Sequence, residues 1–182
     1  MSQMSDPGAT DRFDRPLRTL RVSVTDRCNL RCSYCMPAEI YGPDFKFLPR
    51  SEVLTYEEIT LLVGAFAKAG VRRVRITGGE PLLRRDLPRL VQLLTCIEPS
   101  LELSLTTNGV RLEHFAGELL EAGLHRINVS LDGLDKEVVS ALAGRAVDPE
   151  LIWNNILLAQ EMGFRVKVNA VLRPGINESQ AV

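Results

Sequence analysis

From Leu20 onward, short β-branched runs alternate with runs of helical period, and this alternation restricts the fold more than any other feature of the chain. It is the signature of βα units assembled into a parallel sheet. The predicted strands are Leu20 to Thr25, Val71 to Thr77, Leu101 to Thr107, Arg126 to Asp132 and Arg165 to Leu172. Between them the helices have recognisable ends. Thr55 and Glu58 form a T-x-x-E capping box, after which Ile59, Leu62, Val63 and Phe66 recur at helical spacing until Gly70. Asp86 is placed to cap a second helix with Leu87, Leu90, Val91 and Leu94 on one face, and a third runs from about Arg111 to Ala122. Asp135 caps a fourth that carries Val138, Val139 and Leu142 and stops at Gly144. The fifth spans Pro149 to Met162 and holds Trp153, which its apolar setting assigns to the core.

Each strand splits into two faces, because successive side chains point to opposite sides. Val22 and Val24 oppose Arg21, Ser23 and Thr25; Val74 and Ile76 oppose Arg73, Arg75 and Thr77. Leu103 and Leu105 oppose Ser104, Thr106 and Asn108; Ile127, Val129 and Leu131 oppose Asn128, Ser130 and Asp132; Val166, Val168 and Ala170 oppose Arg165, Lys167 and Asn169. A sheet covered by helices on both faces would read as continuous apolar runs, as would a packed barrel interior. A curved sheet is therefore predicted, with helices on its apolar outer face and a wet or ligand-filled cavity against its polar inner face. Burying that face dry would cost roughly 1–3 kcal/mol per unpaired neutral group and more per charge. The inner face is also basic, with Arg21, Arg73, Arg75, Arg165 and Lys167 set against Asp132. That balance suits an anionic, phosphorylated small molecule held by Arg21, Arg75 and Lys167, while Arg73 and Arg165 reach solvent at strand ends.

Overall charge excludes other partners. The 182 residues carry 22 Lys+Arg against 23 Asp+Glu, a formal charge of −1, which leaves no footprint for a nucleic acid polymer or an anionic membrane surface. No apolar run approaches the roughly 20 residues of a membrane span, and the polar start lacks the pattern of a signal peptide. A cytoplasmic, single-domain protein is expected, with residues 1–16 as a flexible leader and 17–182 as the core domain. Cysteines stay reduced in that compartment, so the 4 present point to ligation, catalysis or packing.

Three of them, Cys28, Cys32 and Cys35, form a C-x3-C-x2-C array directly after the first strand, in TDRCNLRCSYC. Three thiolates on one loop can hold three corners of a 4Fe-4S cluster and leave the fourth iron open to a substrate or cofactor. A zinc site is the competing account. Structural zinc takes four protein ligands, no histidine is near, and only Cys96 could complete the set. Cys96 lies late in the second helix, off its apolar stripe, and reads as an incidental small residue. His114 and His125 stand alone, and the run from Arg84 to Arg89 reads as a solvated helix start, with a charged loop neighbouring the site as its alternative.

CNLRCSYC, followed by ITGGEP from Ile76 to Pro81, resembles the radical S-adenosylmethionine (SAM) enzymes. The longer strings LRVSVTDRCNLRCSYCMPAE, RITGGEPLLRRDL, LTTNG and RINVSLDGLD resemble more specifically the GTP 3′,8-cyclase family of molybdenum-cofactor biosynthesis, over Leu17 to Asn177. The resemblance implies an α/β fold, a partial (β/α) barrel of the radical SAM type with about five βα units. It implies two cofactors, a 4Fe-4S cluster on Cys28, Cys32 and Cys35 and S-adenosyl-L-methionine. Tyr34 would lie near the adenine of SAM, Gly79 would present backbone to its methionyl part, and Ser130 would bind it by its hydroxyl. Each has a plainer alternative: Tyr34 packing its loop, Gly79 serving a tight turn, Ser130 bonding a neighbouring strand. For GTP the resemblance assigns Arg21, Arg75, Thr106 and Lys167, all on the polar face already deduced from alternation.

It further implies an external electron donor, a partner enzyme at the cyclic pyranopterin monophosphate step, and a homodimer among the assemblies it allows. Family members continue further, with another strand and a second cysteine set; residues 1–182 hold no such set. One cluster per chain is therefore expected, with an incomplete GTP site. A catalytically silent iron–sulfur or SAM-binding module and a radical SAM enzyme acting on another anionic substrate are the alternatives.

Overall fold

The structure, a computed structural model, describes residues 9–180. Five strands form one sheet in the order β1-β2-β3-β4-β5: β1 (Thr19–Ser23), β2 (Arg73–Thr77), β3 (Glu102–Thr107), β4 (Arg126–Ser130) and β5 (Arg165–Asn169). Each is parallel to the next. Helices α1 (Tyr56–Lys68), α2 (Leu87–Thr95) and α3 (Ala116–Glu121) fill the first three crossovers, and α4 (Lys136–Ala143) and α5 (Pro149–Glu161) share the fourth. The expected five units thus resolve into four βα units and a final strand. Every crossover advances one strand in the same direction, so connections of common hand put all helices on one face. That face carries the core: Val24, Val74, Ile76, Leu105, Ile127 and Val129 are fully buried against the helices. Among the described residues the opposite face stays bare, β1 and β5 are edges without a further strand beside them, and the barrel is open.

Local chemistry explains the best-defined helix. Glu58 N–H donates to Thr55 Oγ1 at 3.1 Å while Thr55 N–H donates to Glu58 Oε2 at 2.7 Å, so both halves of the capping box form at the start of α1. Ile59, Val63 and Ala67 are buried along one stripe. Leu62 and Phe66, expected on that stripe, are half-exposed because they face the open β1 edge. Thr55→Ala should lower the melting temperature by about 2–4 °C in a thermal scan, the usual effect of a lost cap in a chain of this size.

Other expectations change in detail. Asp86 stands at the start of α2 but adopts a left-handed backbone with φ 57° and makes no side-chain cap bond. The third helix is interrupted: a 3-10 turn at Leu112–His114 leads through Phe115, at φ −121°, into α3. Trp153 is 41% exposed, because Ile152, Ile156 and Ala159 define the buried side of α5 and Trp153 lies about 100° away. Arg84 does not solvate a helix start. Its guanidinium lies 4.3 Å from the Tyr56 ring centre and donates to Val24 O at 2.7 Å and Leu54 O at 2.6 Å, tying the ends of β1 and the α1 approach to the loop after β2.

Within the expected leader, residues 1–8 lie outside the described residues. Ala9 to Pro16 close a small antiparallel turn through a Thr10–Pro16 bridge, and Ala9 N–H donates to Ala69 O at 2.9 Å. The expected run from Arg165 to Leu172 is shorter, ending at Asn169, and Val168 is 42% exposed at the sheet edge.

Candidate active site

Parallel strands bring their carboxyl ends to one rim, where α/β folds build their sites. Here the rim gathers the cysteine loop after β1, the Gly78–Glu80 turn after β2, Asn108 after β3, Ser130 to Gly133 after β4 and residues 170–180 after β5. The first two loops are joined by backbone bonds: Gly79 N–H donates to Thr25 O and Glu80 N–H to Arg27 O, each at 2.7 Å. A Cβ on Gly79 would stand 2.3 Å from Arg27 O. Close approach of two backbones therefore requires this glycine, which supports the tight-turn account of it.

Glu80, which sequence reasoning passed over inside GGEP, organises the rim from beneath. It is 1% exposed and accepts from Thr107 Oγ1 at 2.7 Å, Leu82 N–H at 3.0 Å and Asn108 N–H at 2.8 Å. Burial raises its pKa from the ordinary carboxylate value, against the pull of these donors. Asn108, thus fixed, donates from Nδ2 to Asn29 Oδ1 at 2.8 Å and so grips the cysteine loop. Apart from Leu82, the partners of Glu80 are distant in sequence, Thr107 by 27 residues and Asn108 by 28, so only the motif itself could have signalled Glu80.

The cysteine loop is also braced on its other side. Arg31 N–H donates to Ala143 O and Ser33 N–H to Leu142 O, at the end of α4. The Arg31 guanidinium satisfies Cys28 O, Leu30 O and Tyr41 O. Tyr34 donates to Asp132 Oδ2 at 2.6 Å, and burial, then this carboxylate, raise its phenol pKa. Tyr34 therefore reaches across the rim to the end of β4, two residues from Ser130, whose hydroxyl makes no hydrogen bond to a neighbouring strand among the described residues. Asp132, expected to face the inner cations, is instead 9% exposed and engaged with Tyr34 and with Val171 N–H at 2.9 Å.

Cys28 and Cys32 are half-buried and Cys35 and Cys96 exposed, with Cys96 closing α2 away from the rim. Burial, then the charges of Cys28 and Asp132, push the Cys32 thiol up to about 11, and burial raises Cys28 as well. The Arg31 guanidinium, although bonded to carbonyls, pulls the Cys28 thiol down, but less than burial pushes it up. Thiolates at these positions need a bound cationic group, which is what a cluster provides. Among the described residues, no three His, Cys, Asp or Glu side chains converge as a single metal ion requires.

The polar face lies below the rim. Arg21 is in register with Arg75 and Arg75 with Ser104; Thr106 is in register with Asn128 and Asn128 with Lys167. Ser104 and Thr106 share a face of β3, so Arg21, Arg75, Thr106 and Lys167 stand in two adjacent rows of one surface. Thr106 Oγ1 is buried and has no hydrogen-bond partner among the described residues. A cleft of about 370 Å³ opens on this face, lined by Arg73, Arg75, Glu102, Arg126, Arg165 and Lys167 among others. Arg73 and Arg165 therefore line the cleft as well as reaching solvent. Glu102 and Arg126 were missed, although their alternation places them on the same face.

A bare polar sheet face beneath a rim bearing a three-cysteine loop is the architecture of a radical enzyme family. The sequence profile of the Radical SAM superfamily matches residues 22–182, and the chain belongs to that superfamily. Its cofactors are a 4Fe-4S cluster and S-adenosylmethionine. Among curated proteins, the chain is 54% identical over 169 residues to the GTP 3′,8-cyclase of Acidothermus cellulolyticus, covering 92% of this chain and 47% of that protein. It is 49% identical over 173 residues to the GTP 3′,8-cyclase of Staphylococcus saprophyticus, covering 95% and 51%. The chain thus spans about half the length of these relatives. In fold it matches Streptococcus suis SuiB bound to S-adenosylmethionine, with TM-score 0.69 and 20% identity over 85% of this chain and 34% of that one. It also matches methylornithine synthase (PylB), with TM-score 0.62 and 20% identity over 86% and 45%. No helix among the described residues is long and apolar enough to cross a membrane.

Proposed function

We propose that the chain carries the cluster loop and much of the nucleotide site of a GTP 3′,8-cyclase, which converts GTP to (8S)-3′,8-cyclo-7,8-dihydroguanosine 5′-triphosphate in molybdenum-cofactor biosynthesis. The observation that carries this reading is the two-row arrangement of Arg21, Arg75, Thr106 and Lys167 on the face directly below the cysteine rim. When bound, the cluster and SAM supply a 5′-deoxyadenosyl radical that abstracts hydrogen from the ribose of GTP.

The chain's own residues hold and orient. Cys28, Cys32 and Cys35 ligate the cluster. Tyr34, fixed by Asp132, flanks the adenine; the Ser130 hydroxyl, without a strand partner, bonds SAM; the Gly79 turn supplies backbone beside its methionyl part. Arg21 and Arg75 present guanidinium forks to phosphate oxygens, Lys167 adds an ammonium, and Thr106 Oγ1 gains the partner it lacks. Placement of the ribose against the rim is the catalytic contribution of this scaffold. The same reading entails an external one-electron donor, a cytoplasmic location, a following enzyme that forms cyclic pyranopterin monophosphate, and a homodimer as the candidate assembly.

Anaerobic reconstitution should load about four irons per chain on the one cysteine loop. Reduction in the presence of SAM should then yield 5′-deoxyadenosine, and Cys28→Ala, Cys32→Ala or Cys35→Ala should each abolish it. About eight irons would overturn the one-cluster assignment, and a loaded chain that forms no 5′-deoxyadenosine would be a silent binding module. GTP binding that survives Arg75→Ala combined with Lys167→Ala would overturn the substrate assignment.

A further inference from the structure

The register extends the arginine row beyond the two members already assigned. Arg21 pairs with Arg75 and Arg75 with Ser104; because Thr106 pairs with Asn128 two residues further on, the row continues from Ser104 to Arg126, which pairs with Arg165. Across all five strands it reads Arg21, Arg75, Ser104, Arg126, Arg165: four guanidiniums and no carboxylate. Arg75, Arg126 and Arg165 line the same cleft as Lys167. None of the four arginines joins an ion pair among the described residues. The cleft's carboxylate, Glu102, stands in register with Arg73 and lies outside this row. Like charges held side by side on neighbouring strands repel, and Arg126 beside Arg165 is such a pair. A multivalent anion turns that repulsion into binding.

We propose that Arg126 and Arg165 read the length of the polyphosphate on the nucleotide, gripping its distal phosphates and so selecting triphosphates over monophosphates. The inference rests on the nucleotide reading above and deepens it. Lys167 and Thr106 occupy the row nearer the rim, while the arginine row lies one same-face step, about 6.7 Å, further from it. A ribose placed at the cysteine rim must therefore run its phosphates away from the rim and down onto the arginine row. A monophosphate stops short at the nearer row.

The test measures dissociation constants of GTP, GMP and inorganic triphosphate for the anaerobically reconstituted chain and for Arg126→Ala and Arg165→Ala. Arg89→Ala serves as a control, since Arg89 pairs with Glu57 outside this face. Each row variant should bind GTP and inorganic triphosphate about tenfold more weakly, with GMP affinity changed less than about twofold. Arg126→Lys, which keeps charge but loses the fork, should fall between. Equal weakening of GTP and GMP, or GTP binding that depends on Arg75 and Lys167 but not on Arg126 or Arg165, overturns this inference and leaves the nucleotide reading intact. Triphosphate binding with the expected dependence, but no added affinity for GTP, keeps the polyphosphate site and removes the guanosine. Binding of neither ligand overturns both.

Discussion

Glu80→Ala is expected to destabilise the fold by about 3–5 kcal/mol, a large part of the total stability of a typical domain. The carboxylate accepts from Thr107 Oγ1, Leu82 N–H and Asn108 N–H inside a site that is 1% exposed, so alanine strands three buried donors and opens a cavity. Loss of the Asn108 anchor also frees Asn29 and with it the cysteine loop. Glu80→Gln should cost less, about 1–3 kcal/mol, because the amide keeps one acceptor but turns an N–H toward the Asn108 or Leu82 N–H.

The glutamine variant also carries a pH signature. Burial raises the folded-state pKa of Glu80 above its ordinary value of 4.5, so between those values the folded chain binds the proton more tightly than the unfolded one. This contribution to stability is complete below about 4.5 and is lost as pH rises through the folded-state pKa. Chemical denaturation across that range should show the falling slope for the native chain and its absence in Glu80→Gln. An unchanged slope would remove Glu80 from the account.

Gly79→Ala should be more disruptive than Gly163→Ala, at the glycine just after α5. The new Cβ would meet Arg27 O at 2.3 Å, Arg27 C at 2.5 Å and Asp26 O at 3.0 Å, all backbone atoms at the root of the cysteine loop. Relief requires parting the Gly79–Thr25 and Glu80–Arg27 bonds, so a loss of at least about 3 kcal/mol and poor iron incorporation are expected. Gly163→Ala is the contrast: its φ is +97° but no atom lies within 4 Å of the added carbon, so only the backbone penalty of about 1–2 kcal/mol applies. Equal unfolding free energies for the two variants in denaturant titration would show that close approach does not matter at Gly79.

Much of this fold was readable because its determinants are local or periodic. The two-faced strands follow from alternation, and since every crossover steps the same way, the same pattern located the polar face that holds Arg21, Arg75, Thr106 and Lys167. The capping box at Thr55 and Glu58 was likewise written in adjacent residues. The features that escaped reading depend on distance or on ambiguous period. Leu112, Ala116 and Leu119 keep helical spacing through the break at Phe115, so no pattern distinguishes one helix from a turn followed by a helix. Arg84 bonds a carbonyl 60 residues away, and Asp132 turns toward Tyr34, 98 residues earlier. A charge count placed both wrongly because it knows composition and not reach.

The cross-rim bonds also bear on how the cysteine loop moves. Its amides are tied to α4 through Arg31 and Ser33, its tyrosine to Asp132, and Ser33 Oγ accepts from Arg173 at 2.9 Å in the segment after β5. Asn177, fully buried, binds both Asp132 O and Val171 O. A loop held from so many directions opens as one cooperative unit with the end of α4 and residues 171–177, and does not fray alone. The free energy of that collective opening, readable as shared hydrogen-exchange protection of the Arg31, Ser33 and Val171 amides, then sets how often the half-buried thiols of Cys28 and Cys32 become fully exposed.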